Sequence, residues 1–264
     1  MMDKELFGKT ETMINEKITK ITNDFYSWFC GADTSAEISA NVSAVGPGVQ
    51  FVCSEAREEV LKGYGSKYTV YILCKGNDSI VSFAPKYRSF FEKYSETVDA
   101  KELIDSVSKH FPLKCRQLMI LREERVSDYR DARMLRPADY PLYEKFFKTV
   151  HPFVKNIDWL KEYFDEKTEK ELMFGYIVDG DLVSVCDAPD MPYMEDQIQH
   201  TGIVTIEEHR RKGYARCCAA LAAHHHIERG LVPQWDCAAD NIASIELAKC
   251  IGFEEYGKAF IFEE

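Results

Sequence analysis

The chain has 264 residues, 45% of them apolar and 12% aromatic, which is enough to bury a full core and excludes a disordered or fibrous protein. Its formal charge of -11 argues against broad nucleic-acid binding, because phosphate contacts need a net basic face; simple solubility is its first meaning, and a cationic small-molecule partner its second. Nine cysteines, at 30, 53, 74, 115, 186, 217, 218, 237 and 250, include no Cys-x-x-Cys pair and no spacing that frames a zinc site or a disulfide scaffold, so they read as reduced thiols and no metal is expected.

Residues 1–17 carry acidic side chains and no apolar stretch of signal-peptide length. No later segment approaches the roughly 18 consecutive apolar residues of a membrane span, so a cytoplasmic protein without a membrane partner is expected. Ile14, Ile18, Ile21, Phe25 and Phe29 recur at helical spacing and predict an amphipathic helix over 8–29. The small-residue stretch 31–48 reads as a loop. Strands at 68–74 and 79–84, joined through Lys75-Gly76-Asn77-Asp78, form a hairpin by their turn chemistry. Helices are expected at 86–94 and 100–111 and a strand at 113–121. The charged run 122–130 marks a boundary, giving an accessory α/β domain at 1–127 and a second domain at 128–264.

After the boundary come a strand at 132–136 and helices at 140–150 and 158–172. Strands at 173–178 and 182–186 flank the tight turn Asp179-Gly180-Asp181. A strand at 198–206 follows, then a helix at 213–229 that Gly230 stops, with Pro233 shortly beyond. The pattern closes with a strand at 232–237, a helix at 241–250 ended by Gly252, and a strand at 256–262. No fixed-period repeat is present.

Between the strand at 198–206 and the helix after it lies Arg210-Arg211-Lys212-Gly213-Tyr214-Ala215. A helix start leaves backbone N–H groups unpaired and carries partial positive charge, so anions settle there, and three basic side chains deepen the attraction. Gly213 lets the backbone come close to a phosphate.

The order strand, Arg210-x-x-Gly213-x-Ala215, helix, strand, Asn241-x-x-Ser244, helix, Gly252-Phe253 resembles the GNAT superfamily of acyl-CoA-dependent N-acyltransferases, and Leu135-Arg136-Pro137-Ala138-Asp139 is similar to the way such domains begin. The resemblance covers about residues 131–264. It implies an α/β fold with a GNAT-like mixed central sheet flanked by helices; residues 1–127 show no such signature, although their strands and helices are compatible with a degenerate copy of that fold. The resemblance further implies acetyl-CoA as co-substrate. Coenzyme A pyrophosphate would lie on the N–H groups around Arg211, Lys212, Gly213, Tyr214 and Ala215. The pantetheine arm would run between splayed strands at 203–206, which include Val204 and Thr205, and 232–237. An amine would attack the thioester directly, with a main-chain N–H near Val204 as oxyanion donor.

Single residues keep two readings. Asn241 either caps its helix or contacts pantetheine, and can do both. His200 is the candidate base, because an alkylammonium with a pKa of about 10.4 must lose a proton and a histidine of pKa about 6.5 is mostly neutral at pH 7; the other reading is a hydrogen-bonded structural histidine. Asp187 and Asp190 rank below it, as groups that orient a cationic amine. Many family members carry a tyrosine four residues before the Gly-Phe pair as general acid, and here that position is Ala248, so Tyr256, Cys250 or water is left for the role. This departure keeps open an alternative, a non-catalytic acyl-CoA-binding or regulatory module. A nucleotide-binding domain ranks lowest, as no phosphate-binding glycine loop of the usual forms occurs. His224-His225-His226 cannot share one ion, since successive helix residues point about 100° apart. The acceptor is expected to be a small-molecule amine, and the sequence names neither it nor an oligomeric state.

Overall fold

The computed structural model describes the backbone of residues 3–31, 48–94 and 99–264, with side chains from residue 15 onward. The loop expected at 31–48 lies almost wholly outside the described residues. The elements in chain order are α1 (Asp3–Phe29), β1 (Val49–Cys53), β2 (Tyr68–Lys75), β3 (Asp78–Phe83), α2 (Arg88–Phe91), α3 (Ala100–Ser108), β4 (Lys114–Leu121) and β5 (Ala132–Met134). Then follow α4 (Tyr140–Val150), α5 (Leu160–Glu169), β6 (Met173–Val178), β7 (Asp181–Asp187), β8 (Ile198–His200), β9 (Ile203–Thr205), α6 (Tyr214–Glu228), β10 (Val232–Ala238), α7 (Ile242–Ile251) and β11 (Phe253–Glu263). Among the described residues no helix is long and apolar enough to cross a membrane, and no group of three or more His, Cys, Asp or Glu side chains is placed to hold a metal.

Two sheets result. Seven strands run in the order β1-β3-β2-β11-β4-β10-β8 and four in the order β5-β6-β7-β9. Both hairpins turn as the sequence requires: Lys75 pairs with Asp78 around Gly76 at φ 60°, and Val178 pairs with Asp181 around Asp179 and Gly180, both at positive φ. The mixed sheets flanked by helices agree with the expected fold class. The expected boundary at 127/128 falls between β4 and β5, and β4 hydrogen-bonds across it, standing between β10 and β11 with Ile120 opposite Gln234 and Leu121 opposite Phe253.

Alternation along the strands sorts side chains to two faces. Leu118 and Ile120 of β4 pack with Phe25, Tyr26 and Phe29 of α1, whereas Met119 and Leu121 pack with Trp235, with Ala219, Ala220 and Ala223 of α6, and with Ile245, Ala248 and Ile251 of α7. Helix α2 and α3 cover the other end of that second face through Phe91, Leu103 and Val107. Helix α6 also meets the four-stranded sheet, where Cys217, Cys218 and Ala222 touch Phe174, Tyr176 and Val183. Small side chains on both flanks let one helix sit close to two sheets, which is why the cysteines here are packing residues. The far face of the smaller sheet is filled by α4 and α5 through Tyr143, Phe146, Leu160 and Phe164.

Several expectations are corrected. The strand expected at 198–206 is two strands in two sheets: β8 pairs parallel with β10, while β9 pairs antiparallel with β7. Local sequence does not say which partner each piece takes, because that depends on what β10 and β7 offer. Strand β1 was not foreseen; it lies beside β3 at the edge, next to the small-residue stretch. The helix expected at 86–94 is the short α2 after a turn of 3-10 helix at Pro85–Tyr87. Strand β11 begins at Phe253, directly after Gly252 at φ 121°, where the carbonyl of Glu123 leaves no room for a Cβ.

Candidate active site

The turn at 210–215 has the backbone an anion needs. Arg211 stands at φ 63° and Gly213 at φ 88°, so two left-handed residues fold the chain back before α6 begins. Arg210 Nε donates to the Thr205 carbonyl at 3.2 Å and ties the turn to β9. Among the described residues the N–H groups from Arg211 through Arg216 have no acceptor; the first bond into α6 runs from Cys217 N to Gly213 O at 3.1 Å. Six donors and the positive end of the α6 dipole therefore meet beside Arg210, Arg211 and Lys212. Tyr214 keeps its ring out of the way by stacking on Tyr176, with centroids 4.4 Å apart.

The break between β8 and β9 opens the gap that leads to this turn. Thr201 N still donates to Gln234 O at 2.9 Å, and beyond it β9 leaves β10 for β7. Gly202 makes the departure possible: a Cβ there would stand 2.4 Å from the carbonyl oxygen of Asp187. Antiparallel ladders alternate the direction of their main-chain groups. Asp187 N donates to Gly202 O at 3.1 Å and Ile206 N to Val183 O at 3.0 Å, so Val204, midway between, also faces β7 across from Val185. Its N–H is thereby used, and the expectation of an oxyanion donor near Val204 moves to its neighbours. Ile203 and Thr205 point their main-chain groups into the gap. By the same alternation the Ala239 N bond to Cys115 O at 2.9 Å turns Asp236 and Ala238 toward the gap from the β10 side.

At the vertex, where the strands part, buried polar side chains gather. His200 is 7% exposed, with Nε2 2.8 Å from Gln234 Oε1 and its ring edge-on to Phe25 of α1 at 5.7 Å. Burial pushes the pKa of His200 down, against the opposing pull of Asp236 and the Gln234 bond. Thr201 Oγ1, Gln234 Nε2 and Asp187 Oδ1 are buried without a hydrogen-bond partner among the described residues. Buried polar atoms are paired as a rule, so these unpartnered atoms, on and beside the strands that part, are positions where a ligand contact is expected. Asp187 Oδ2 accepts from the Tyr163 hydroxyl at 2.7 Å, and burial raises the Asp187 carboxyl to about 6, partly offset by that bond and by Lys167. Lys167 is 1% exposed and holds Asp190 Oδ1 at 2.7 Å and the Ala188 carbonyl at 3.0 Å, which fixes the loop after β7.

Other expected residues fall elsewhere. Tyr256 stacks on Tyr26 at 5.2 Å and donates to Asn23 Oδ1 at 2.8 Å, and burial holds its hydroxyl well above the ordinary value. It lies on β11, two strand spacings or about 9.6 Å beyond β10, so the structure does not bring it to the gap. Asn241 caps α7, its Oδ1 accepting from Ser244 N at 3.2 Å, and Ser244 Oγ accepts from Trp235 Nε1 at 3.0 Å. Ala248 is fully buried against the sheet. The three histidines diverge as expected: His224 faces Glu124 at 2.8 Å, His225 lies near Glu171, and His226 is buried with neither ring nitrogen partnered among the described residues. Thr201 and Gln234 escaped the sequence, since neither belongs to a motif. The signal that points to them is the Thr201-Gly202 pair inside the strand expected at 198–206, because glycine within a strand marks a close approach of backbones.

The profile of the family described as GNAT acetyltransferase matches residues 73–261, well over half of the chain. The chain belongs to the GNAT acetyltransferase family. Its match begins within β2, ahead of the expected boundary. A curated relative, the uncharacterized N-acetyltransferase YdfB of Bacillus subtilis (strain 168), is 30% identical over 107 residues, which is 39% of this chain and 40% of the relative. The chain thus matches less than half the length of that relative. Among solved structures, a GNAT-family acetyltransferase from Colwellia psychrerythraea is similar with a TM-score of 0.49 at 14% identity, over 63% of this chain and 62% of the other. A GCN5-related N-acetyltransferase from Sphaerobacter thermophilus gives a TM-score of 0.49 at 14% identity, over 63% and 57%.

Proposed function

We propose that this GNAT protein transfers an acetyl group from acetyl-CoA to a primary amine of a small molecule by direct attack. The observation that carries the reading is the row of unpartnered N–H groups from Arg211 through Arg216 at the mouth of the β9/β10 gap. The pyrophosphate would accept those hydrogen bonds, with Arg210, Arg211 and Lys212 as counter-charges. The pantetheine arm would take the place of a missing strand, its amides meeting the N–H groups of Ile203, Thr205, Asp236 and Ala238; the carbonyls of Thr205, Asp236 and Ala238 already accept from Arg210, Arg116 and Asn241. Asn241 keeps its side-chain NH2 for the same arm while its oxygen caps α7.

This threading sets the thioester at the vertex, beside His200, Thr201 and Gln234. An N–H of Ile203 or Thr205 would stabilise the oxyanion, and one such donor is typically worth about 10² to 10³ in rate. Release of the thiolate needs little help, since a thiol of pKa about 8.5 is a tolerable leaving group. With Tyr256 bound to Asn23 of α1, water is the proton source left for it.

Acetyl-CoA at a hundred times its dissociation constant stabilises a specific binder by about 2.7 kcal/mol, so a thermal shift reads the donor site directly. Absence of any shift at millimolar acetyl-CoA or CoA would remove this reading. The second reading, a module that binds acyl-CoA without turnover, is favoured by the complete burial of Ala248 where a tyrosine acid would stand. Thiol release against a panel of amines separates the two: turnover that falls with His200→Ala supports the enzyme, and binding without turnover supports the module.

A further inference from the structure

At the end of α6 farthest from the phosphate turn lies a cavity of about 350 Å³, enclosed by α1, the end of β4 and the link from α6 to β10. Helix α6 has 15 residues, so roughly 22 Å of helix separates this cavity from the mouth of the gap. Its walls are aliphatic: Ile18 and Ile21 of α1, Leu121 of β4, and Leu231 and Val232 at the start of β10. No aromatic ring is among the described residues that line it. Gly230, at φ 79°, turns the chain beside the exposed Ile227, and a Cβ there would meet no atom within 4 Å, so the entrance stays open.

Four charged side chains also line the cavity, and they are not alike. Glu124 is held by His224 at 2.8 Å and Glu123 by Arg125 at 3.7 Å. Among the described residues neither Lys17 nor Arg122 has a carboxylate partner within ion-pair distance. Arg122 Nη1 donates to the Asn15 carbonyl at 3.0 Å, which fixes the guanidinium and leaves its Nε–Nη2 edge, the geometry that takes a carboxylate through two parallel bonds. Burial pulls the Arg122 pKa down, against Glu254 and Tyr256, as expected of a cation partly removed from water without a paired anion. A cavity of this size with apolar walls and a few polar groups is the usual form of a small-molecule site. The formal charge of -11 repels anions in general, so capture here depends on these two cations.

We propose that this cavity binds a short- to medium-chain alkyl carboxylate, its head on Arg122 and Lys17 and its chain against Ile18, Ile21, Leu121 and Leu231. The site is separate from the acetyl-CoA site and does not depend on the reaction proposed above. Aliphatic walls give no stacking surface for a flat ligand, and they take a flexible chain by burial alone.

The test is calorimetric titration of the intact protein with hexanoate, octanoate and decanoate, each with and without millimolar CoA. One saturable site is expected, with affinity rising about 4-fold per methylene, hence about 15-fold from hexanoate to octanoate, and unchanged by CoA. Arg122→Gln should weaken octanoate by at least about 10-fold, the usual weight of a hydrogen bond to a charged group. Ile227→Glu places a like charge at the entrance on an exposed position that the fold does not need, and should weaken octanoate comparably even if Arg122→Gln fails to fold. Octylamine, with the same chain and the opposite charge, should not bind. Amide NMR should show Leu231 and Val232 moving with octanoate while residues 211–216 stay in place. Absence of saturable binding by all three acids at millimolar concentration would overturn the proposal. So would binding that CoA displaces, that Ile227→Glu leaves unchanged, or that octylamine matches.

Discussion

The two ends of the gap are built from different material. At the mouth, Arg211 through Arg216 offer main-chain N–H groups on an exposed turn whose shape comes from two left-handed residues. At the vertex, Asp187, His200, Thr201 and Gln234 offer side chains, buried and drawn from three strands and a link between strands. A main-chain site needs only a local conformation and tolerates many side chains. The vertex needs particular side chains at fixed places, each held by packing contributed from α1, α5 and β10. On the proposed reading the mouth suits a constant donor, and the vertex would meet the individual acceptor.

The largest effect that could break this contrast is expected from Gly202→Ala, which touches the hinge between the two ends. The new methyl would stand 2.4 Å from the Asp187 carbonyl, so backbone must shift. Overpacking of this kind costs about 1 to 3 kcal/mol, and a misplaced vertex should lower turnover more than it lowers acetyl-CoA affinity. Chemical denaturation and steady-state kinetics on one preparation read both. Unchanged turnover in a folded variant would separate the hinge from catalysis.

Gly213→Ala acts on the mouth alone. Its φ of 88° costs an L side chain roughly 1 to 2 kcal/mol, although the nearest atom to a Cβ, Arg130 Nη1, is 3.8 Å away. Weaker CoA binding by about 10-fold is expected in calorimetry, with kcat at saturating acetyl-CoA left within about 2-fold. A large fall in kcat would couple the ends that the structure keeps apart.

Asp187→Asn should sharpen the contrast from the side of stability. The folded carboxyl is raised to about 6, above an unfolded value of about 3.9, so the fold binds this proton more tightly than the unfolded chain does. Stability from this group is greatest below pH 4 and declines as pH rises through 6. The neutral variant should thus be more stable than the parent at pH 8, by up to about 3 kcal/mol, and about equal at pH 4. Thermal melts at the two pH values decide it; a variant less stable at pH 8 would make the side chain structural.

The smallest effect is expected from Tyr256→Phe. Its hydroxyl bonds Asn23, so its loss should cost about 1 kcal/mol in denaturant melts and leave the thiol-release rate within 2-fold. A larger fall in rate would place this ring in the chemistry after all.

Much of the fold was readable because period and turn chemistry are local. The Asp179-Gly180 and Gly76-Asn77 turns, the Gly230 and Gly252 stops and the Asn241 cap all act through their own neighbours. The mouth was readable for the same reason: Gly213 and three basic residues stand together in the chain. Two features were not. The β8/β9 break depends on whether β10 or β7 offers the better partner, a contest between residues 34 positions ahead in the chain and residues 17 to 21 positions behind. The vertex joins His200 to Gln234 only after that contest is settled, and nothing local announces that Phe25 of α1 would pack on the His200 ring. Nor does any local signal tell β4 to enter the sheet between β10 and β11.

The central claim, that CoA lies on main chain from the turn to the vertex, is tested most directly by amide NMR during a CoA titration. The N–H resonances of Ile203, Thr205 and Arg211 through Arg216 should move together with one saturation curve, while that of Val204, bonded to β7, moves least. Saturable binding that leaves the 211–216 amides in place, or that shifts Val204 and not its two neighbours, would contradict the account.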